Sequence, residues 1–328
     1  MLLDDRSLRA YVRELALFPR NDPVEIEPAG DGNINFVRRI RGPSSSVILK
    51  HARSRLEKFP EYVAPTERLL HEHAYGEVVG ELAPEEALLL PRVLHFDPEA
   101  RVLVLEDLSS CPRLQEELLA GRCPEEAFAR LGQFLGKVHQ ATGRCSKQLE
   151  ARFTNEEMRA LHGEHIFSLP FAPNDFDVSA KLRAEAASLL TPSRRKRIGS
   201  LRESYYQSCT ALVHADVQPA NILLGRVPKL LDAEIAHVGD PAFDLGTLLA
   251  HLYLHAHLIG EEALRGADRA IVRAYVAAGG LEVDLARSRA YAGVEMLRRT
   301  LGAARVPAIE TDGAAHGVLH RAAALLDE

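Results

Sequence analysis

Short alternating strands followed by long amphipathic helices predict an α+β fold of two lobes. Three features of the 328-residue chain carry this. Up to about residue 107, apolar and polar residues alternate in short runs broken by Gly- and Pro-containing turns. From Pro112 onward apolar residues recur at helical spacing. Between them lies a short join, Glu106 to Ser109. We therefore expect a small antiparallel β lobe over residues 1–107 and a larger, mostly helical lobe over 108–328, with a cleft between them suited to a ligand.

In chain order, Val24-Glu25-Ile26 reads as a strand leading into the turn Gly30-Asp31-Gly32-Asn33, and Ile34 to Arg41 as the strand leaving it. Gly42-Pro43-Ser44 breaks the chain before a third strand, Val47-Ile48-Leu49-Lys50. Pro65-Thr66 opens a helix whose apolar face holds Leu69, Leu70, Ala74, Val78 and Val79. Arg92–Phe96 and Val102–Leu105 form a hairpin about Asp97-Pro98-Glu99-Ala100. Later helices are expected over 124–141, 180–190, 193–208, 243–257 and 281–304. Later strands are expected only at 212–214, 222–224 and 229–231.

Composition excludes several classes. Apolar residues make up 46% and charged residues 26%, the range of a globular protein. A net charge of −6 argues against a nucleic-acid surface, and the run Arg194-Arg195-Lys196-Arg197 reads as a solvated helix face. The four cysteines stand far apart with no C-x-x-C pair, as for reduced thiols rather than a zinc site or disulfide frame. No apolar run approaches the roughly 20 residues of a membrane span, and the first residues lack a signal-peptide core. A cytoplasmic protein with no membrane or nucleic-acid partner is expected.

The chemistry concentrates between His214 and Asp244. Asp216 follows a short strand, and Pro219 keeps the next turn from becoming a regular helix. Its carboxylate is placed to accept a hydrogen bond from a substrate hydroxyl. Asp232 and Glu234, two apart after Leu230-Leu231, would point to one side of an extended segment and reach one ion. Asn221 adds a neutral amide oxygen, and magnesium is the hard cation that suits such a set beside phosphate. Upstream, the turn Gly30-Asp31-Gly32-Asn33-Ile34-Asn35 lies between two strands, as a loop covering phosphates does. Lys50 ends its strand at a buried edge; Glu72 is its expected partner, with Glu67 on the same helix as a rival. Asp244 is expected to cap a helix and to accept backbone N–H groups from the Asp216 loop. His214 reads as packing that loop. His251 and His255 are four apart, but no third ligand stands out and a metal role is not expected.

Together, H-A-D-V-Q-P-A-N from His214, D-A-E from Asp232, G-D-G-N-I-N-F-V from Gly30, L-E-D-L-S from Leu105 and M-L-R-R-T-L-G from Met296 resemble the aminoglycoside-phosphotransferase-like kinases, within the protein-kinase-like superfamily. The likeness is narrowest to the S-methyl-5-thioribose kinases, although Asn221 stands where those usually place a serine. The resemblance implies a protein-kinase-like fold and an ATP- and magnesium-dependent transfer to a small-molecule sugar hydroxyl, with 5-methylthioribose at its 1-hydroxyl as the leading acceptor. It implies Gly30, Asp31, Gly32, Asn33, Asn35, Lys50 and Glu72 around the phosphates, and Glu106, Asp107 and Leu108 at the adenine. Asn221, Asp232 and Glu234 are the implied metal ligands, with Asp216 catalytic. Arg298 and Arg299 are implied at the sugar; adjacent on a helix, they splay by about 100°. A homodimer is compatible with this reading. An aminoglycoside- or choline-type acceptor, or nucleotide binding without catalysis, are the alternatives.

Overall fold

The computed structural model describes residues 4–19, 21–30, 35–55, 63–280 and 282–328. Helix α1 (Asp5–Glu14) precedes β1 (Glu25–Pro28), β2 (Phe36–Arg41) and β3 (Ser46–His51). Then come α2 (Arg68–Leu82), β4 (Val93–Asp97) and β5 (Val102–Glu106). The strands form one antiparallel sheet in the order β1-β2-β3-β5-β4. Gly30, at φ 71°, starts the turn between β1 and β2 in the left-handed region that glycine tolerates. Asp31, Gly32, Asn33 and Ile34, the centre of the expected phosphate turn, lie outside the described residues.

Alternation along the strands sorts the sheet's two faces. Val47 and Leu49 of β3, with Val102 and Val104 of β5, join Leu8 and Val12 of α1 in one core. Leu103 and Leu105, with Ile48, pack on Leu69 of α2 on the other face. Lys50 is in phase with Ile48, so it emerges on the α2 side beside Glu72. The strand register fixes the face, and the packing of α2 on it supplies the partner.

The rest is mostly helical: α3 (Leu114–Leu119), α4 (Glu125–Gly143), α5 (Ser146–Glu150), α6 (Glu156–Phe167), α7 (Ala180–Leu189) and α8 (Pro192–Gln207). Two small hairpin-like sheets follow. β6 (Ala211–Val213) pairs with β9 (His237–Gly239), and β7 (Ile222–Leu224) with β8 (Pro228–Leu230). The strand at His237–Gly239 is one that sequence reading did not anticipate; three residues are too few for a periodic signal. Then come α9 (Pro241–Leu254), α10 (Ala256–Ile259), α11 (Glu261–Ala277), α12 (Leu285–Leu301) and α13 (Asp312–Leu325). Among the described residues no helix is long and apolar enough to cross a membrane, and all four cysteines are free.

Helix α9 is buried along its whole length and forms the centre of the helical core. Asp240 caps it, accepting the Ala242 N–H at 3.0 Å, with Pro241 at the first helical position. Asp244 therefore sits in the first turn and not at the cap, a correction to the expectation above. The basic run lies on the exposed side of α8, and two of its arginines also have fixed partners. Arg194 reaches Asp327 at 2.6 Å and the Leu189 carbonyl at 2.6 Å, while Arg195 meets the Leu190 carbonyl, so both guanidiniums satisfy the end of α7.

Helices α4 and α11 approach through Gly132 and Gly136, one turn apart. A Cβ on either would stand 2.5 Å from a carbonyl oxygen, of Ile271 or Tyr275. Gly132→Ala should therefore force the helices apart and lower stability by about 1–3 kcal/mol. Urea denaturation would show it as a lower midpoint at unchanged slope.

Candidate active site

Two clusters of charge lie on neighbouring segments, linked where the Leu231 N–H meets the Asn221 carbonyl at 2.8 Å. The first surrounds Lys50. Its ammonium lies 2.7 Å from both oxygens of Glu72 and also pairs with Asp232 Oδ1. Glu67, the rival partner, instead meets Arg101 at 3.3 Å. Desolvation works against a charged Lys50, but Asp232, Glu72 and Glu234 overcome it and raise its pKa. Burial pushes Glu72 up, to about 7, against the pull of Lys50 and with the push of Asp232.

Asp232 has φ 65°, a left-handed conformation costly for a side-chain-bearing residue. Glu234 falls in a turn. The acids are thus carried by a bent loop, not by the extended segment expected from their spacing. Each meets a different cation. Asp232 rests on Lys50, and this pairing outweighs desolvation to lower its pKa. Glu234 accepts from Asn35 Nδ2 at 2.8 Å and lies 3.5 Å from Arg68 Nε. Burial nonetheless raises the Glu234 pKa. Arg68 in turn donates to Asn35 Oδ1 at 3.0 Å. Asn155 fixes the turn by donating to the carbonyls of Glu234 at 2.9 Å and Ala236 at 3.1 Å.

The second cluster is centred on Asp216. Gln218 donates to both its oxygens, at 2.9 and 2.8 Å, and Asn221 Nδ2 donates to Oδ2 at 2.7 Å. A carboxylate can only accept from an amide NH₂, so this bond leaves the Asn221 oxygen aimed elsewhere. Asp244 holds the loop from beneath, accepting the N–H groups of His214 and Ala215, both at 2.8 Å. His139 Nε2 lies 3.2 Å from the same carboxylate. Ala215, at φ 68°, makes the sharp bend between these anchored amides and Asp216. His214 Nδ1 accepts the Asp216 N–H at 3.3 Å, in keeping with a packing role.

The adjacent arginines differ as helical splay demands. Arg299 is buried and reaches within 3.9 Å of Asp216 Oδ1; Arg298 is half-buried and meets Glu295 at 3.0 Å. Glu295 also accepts from Arg299 Nε at 2.7 Å and lies 3.5 Å from His251 Nε2. Burial would raise its pKa, yet Arg298, Arg299 and His251 hold it well below the carboxylate range. His251 is thereby directed at Glu295, while His255 Nδ1 meets the His251 carbonyl at 2.7 Å. The two imidazoles thus have different partners, a carboxylate for one and a backbone carbonyl for the other. At the join, Glu106 Oε1 accepts from the Arg92 N–H at 3.0 Å and from Lys229 at 3.1 Å. Asp107 accepts from Ser46 at 2.6 Å and Arg39 at 3.0 Å.

Sequence reading passed over Asn35's link to Arg68, and also Asn155, Gln218 and Glu295. Only Glu295 left a local signal: an acid three and four residues before two arginines on one helix. Because its folded pKa is depressed, its contribution is complete above an unfolded pKa of about 4.3 and is lost as pH falls through the folded value. Glu295→Gln should cost about 3–5 kcal/mol at pH 7 by leaving buried guanidinium unpaired. Urea melts at stepped pH should show the gap from wild type narrowing only below about pH 4.

Curated methylthioribose kinases from Exiguobacterium sibiricum and Bacillus velezensis are each 28% identical to the chain. The matches span 91% and 93% of it and 85% of either relative. Among solved structures, the amicoumacin kinase hAmiN in complex with AMP-PNP, Ca2+ and Ami superposes with a TM-score of 0.56 at 15% identity, covering 99% of this chain and 94% of that one. That likeness concerns the fold. The model of the phosphotransferase enzyme family matches residues 25–291, from β1 into α12, a span that takes in Lys50, Glu72, Asp216, Asn221, Asp232 and Glu234 and stops short of Glu295, Arg298 and Arg299. The chain belongs to the phosphotransferase enzyme family.

Proposed function

We propose that the protein is an ATP- and magnesium-dependent kinase acting on the 1-hydroxyl of 5-methylthioribose or a closely related pentose. The observation that carries this is the Asp216 carboxylate, fixed by two side-chain amides and facing a buried guanidinium, beside a loop of acids gathered around one lysine. The names of the two curated relatives supply the acceptor. The solved complex of hAmiN with AMP-PNP is in keeping with a nucleotide as donor.

In this reading Asp216 accepts the hydrogen bond of the attacking hydroxyl and aims its oxygen along the line of transfer. As the new O–P bond forms and the bond to the leaving diphosphate breaks, the hydroxyl proton passes to Asp216 Oδ1 or Oδ2. Gln218 and Asn221 hold that carboxylate to one orientation. Arg299, tied by Glu295, offers positive charge where the transferred group develops negative charge. Arg298 supports it through the same glutamate.

The side chains present fit a hard divalent cation. Three carboxylates (Glu72, Asp232, Glu234) meet two cations (Lys50, Arg68), leaving one surplus negative charge. Asp232 keeps 41% of its side chain exposed, open to a further ligand. Asn221, Asp232 and Glu234 would hold magnesium, which when bound neutralises charge on the β- and γ-phosphoryl oxygens. Lys50, positioned by Glu72, would hold the α- and β-phosphates. The segment about Gly30 to Asn35 would cover the phosphates, and the backbone at Glu106, Asp107 and Leu108 would meet the adenine, with the lobes joined there.

Two outcomes test this. Asp216→Ala should lower kcat by about 10²–10⁴-fold while nucleotide affinity stays near wild type. Near-full turnover in that variant would remove Asp216 from the chemistry. ADP release should respond to methylthioribose and not to ribose, choline or kanamycin. Activity confined to choline or kanamycin would replace the sugar with a cationic acceptor, a choice the guanidinium beside Asp216 disfavours.

A further inference from the structure

On the far side of the helical core, two histidines and a glutamate from separate helices converge. His316 and His320 stand four apart on α13, so both rings lie on one face. Glu185 projects from α7 between them. His316 Nδ1 and His320 Nε2 turn to the same oxygen, Glu185 Oε1, the latter at 2.9 Å, and the rings lie tilted at 51° with centroids 4.5 Å apart. One ligand atom from each residue lies within 4.8 Å of the other two, the one group of three such side chains found among the described residues. The underlying helices are fixed: Leu182 and Ala186 flank Glu185 in the core, while Ala315 and Leu319 do so beside the histidines.

We propose that Glu185, His316 and His320 form a binding site for zinc, which clamps the last helix of the chain to α7. Two imidazole nitrogens and one carboxylate oxygen are a three-ligand zinc set, with a water completing the tetrahedron. A zinc–nitrogen distance of about 2.1 Å sets neighbouring ligands about 3.4 Å apart, which rotations of these side chains reach from the observed spacing. Imidazole selects zinc and its transition-metal neighbours over magnesium and calcium, so this ion is distinct from the one that serves phosphoryl transfer. The histidine side chains are 59% and 53% exposed, leaving a path for the ion and its water. Without metal, each neutral ring must place its single N–H on the nitrogen facing Glu185. With metal, the same two nitrogens present lone pairs instead, so binding needs a change of tautomer and no change of backbone. Among the described residues, nothing hydrogen-bonds the outward ring nitrogens of His316 and His320. A site lacking that support holds its metal exchangeably.

The test uses the full chain stripped with a chelator and then given zinc alone. Equilibrium dialysis should find one more zinc per chain on wild type than on His316→Ala/His320→Ala. Zinc should also raise the wild-type melting temperature by about 2–5 °C more than that of the double variant. Both proteins keep the acids near Lys50, so zinc held there cancels in the difference. Magnesium should shift the two proteins equally, and cobalt should give tetrahedral absorption bands in wild type alone. Equal zinc stoichiometry and equal melting shifts would overturn the site. If the metal-free double variant melts below wild type, His316→Asn and His320→Asn singly replace it, and undiminished zinc affinity in either overturns the proposal. Glu185→Gln should weaken binding about tenfold; wild-type affinity in that variant would overturn the three-ligand set.

Discussion

A buried ammonium with two carboxylates is the interaction on which the arrangement of the two charge clusters depends. Lys50 could not stay charged in the interior alone, since desolvation of an isolated cation costs more than its strand's apolar contacts return. Glu72 on α2 and Asp232 in the loop after β8 make its burial tolerable. One side chain thus ties the sheet, its covering helix and the acid loop together. Arg68 and Asn35 repeat the device one helical turn earlier, on Glu234. The pairs share a surplus of negative charge that the protein itself does not neutralise. Burial, with the neighbouring acids adding to it, raises the Glu72 and Glu234 pKa values even with cations in contact.

The same economy holds on the opposite side, where backbone is the cargo. Asp244 is wholly buried and spends its charge on two loop amides and one imidazole. That holds Ala215 in a left-handed conformation it would not adopt alone, and so sets the direction of Asp216. Strain at Ala215 is thus supported from beneath by buried hydrogen bonds, which is where such backbone persists. Glu295 plays the corresponding part for the arginines: without it, two guanidiniums and an imidazole would have only the Asp216 carboxylate, 3.9 Å from Arg299, as counter-charge.

Much of this was legible from local pattern. Strand alternation gave the sheet, while the choice between Glu72 and Glu67 was settled by packing, which turns Glu72 to Lys50 and Glu67 to Arg101. The helices over 124–141, 180–190 and 193–208 ended within a few residues of the observed bounds because their periodicity is long and their stops are marked. The three-residue strand at His237–Gly239 and the cap at Asp240 rather than Asp244 were not legible, since neither extends over a full period.

The sequence by itself determined which residue types stand at which intervals: a carboxylate five residues before an amide, two acids two apart, two arginines side by side, two histidines one turn apart. Those intervals fix direction only where the backbone is regular, as on β3 or α12. Tertiary structure decided the partners. Asp232 and Glu234 leave a bent loop toward different cations, Arg299 and not Arg298 reaches Asp216, and His316 and His320 find Glu185 from a helix over a hundred residues away in the chain. The physical reason is common to all three. A buried or clustered charge takes whichever opposite charge the packing delivers, and packing is a property of the whole core rather than of any one segment.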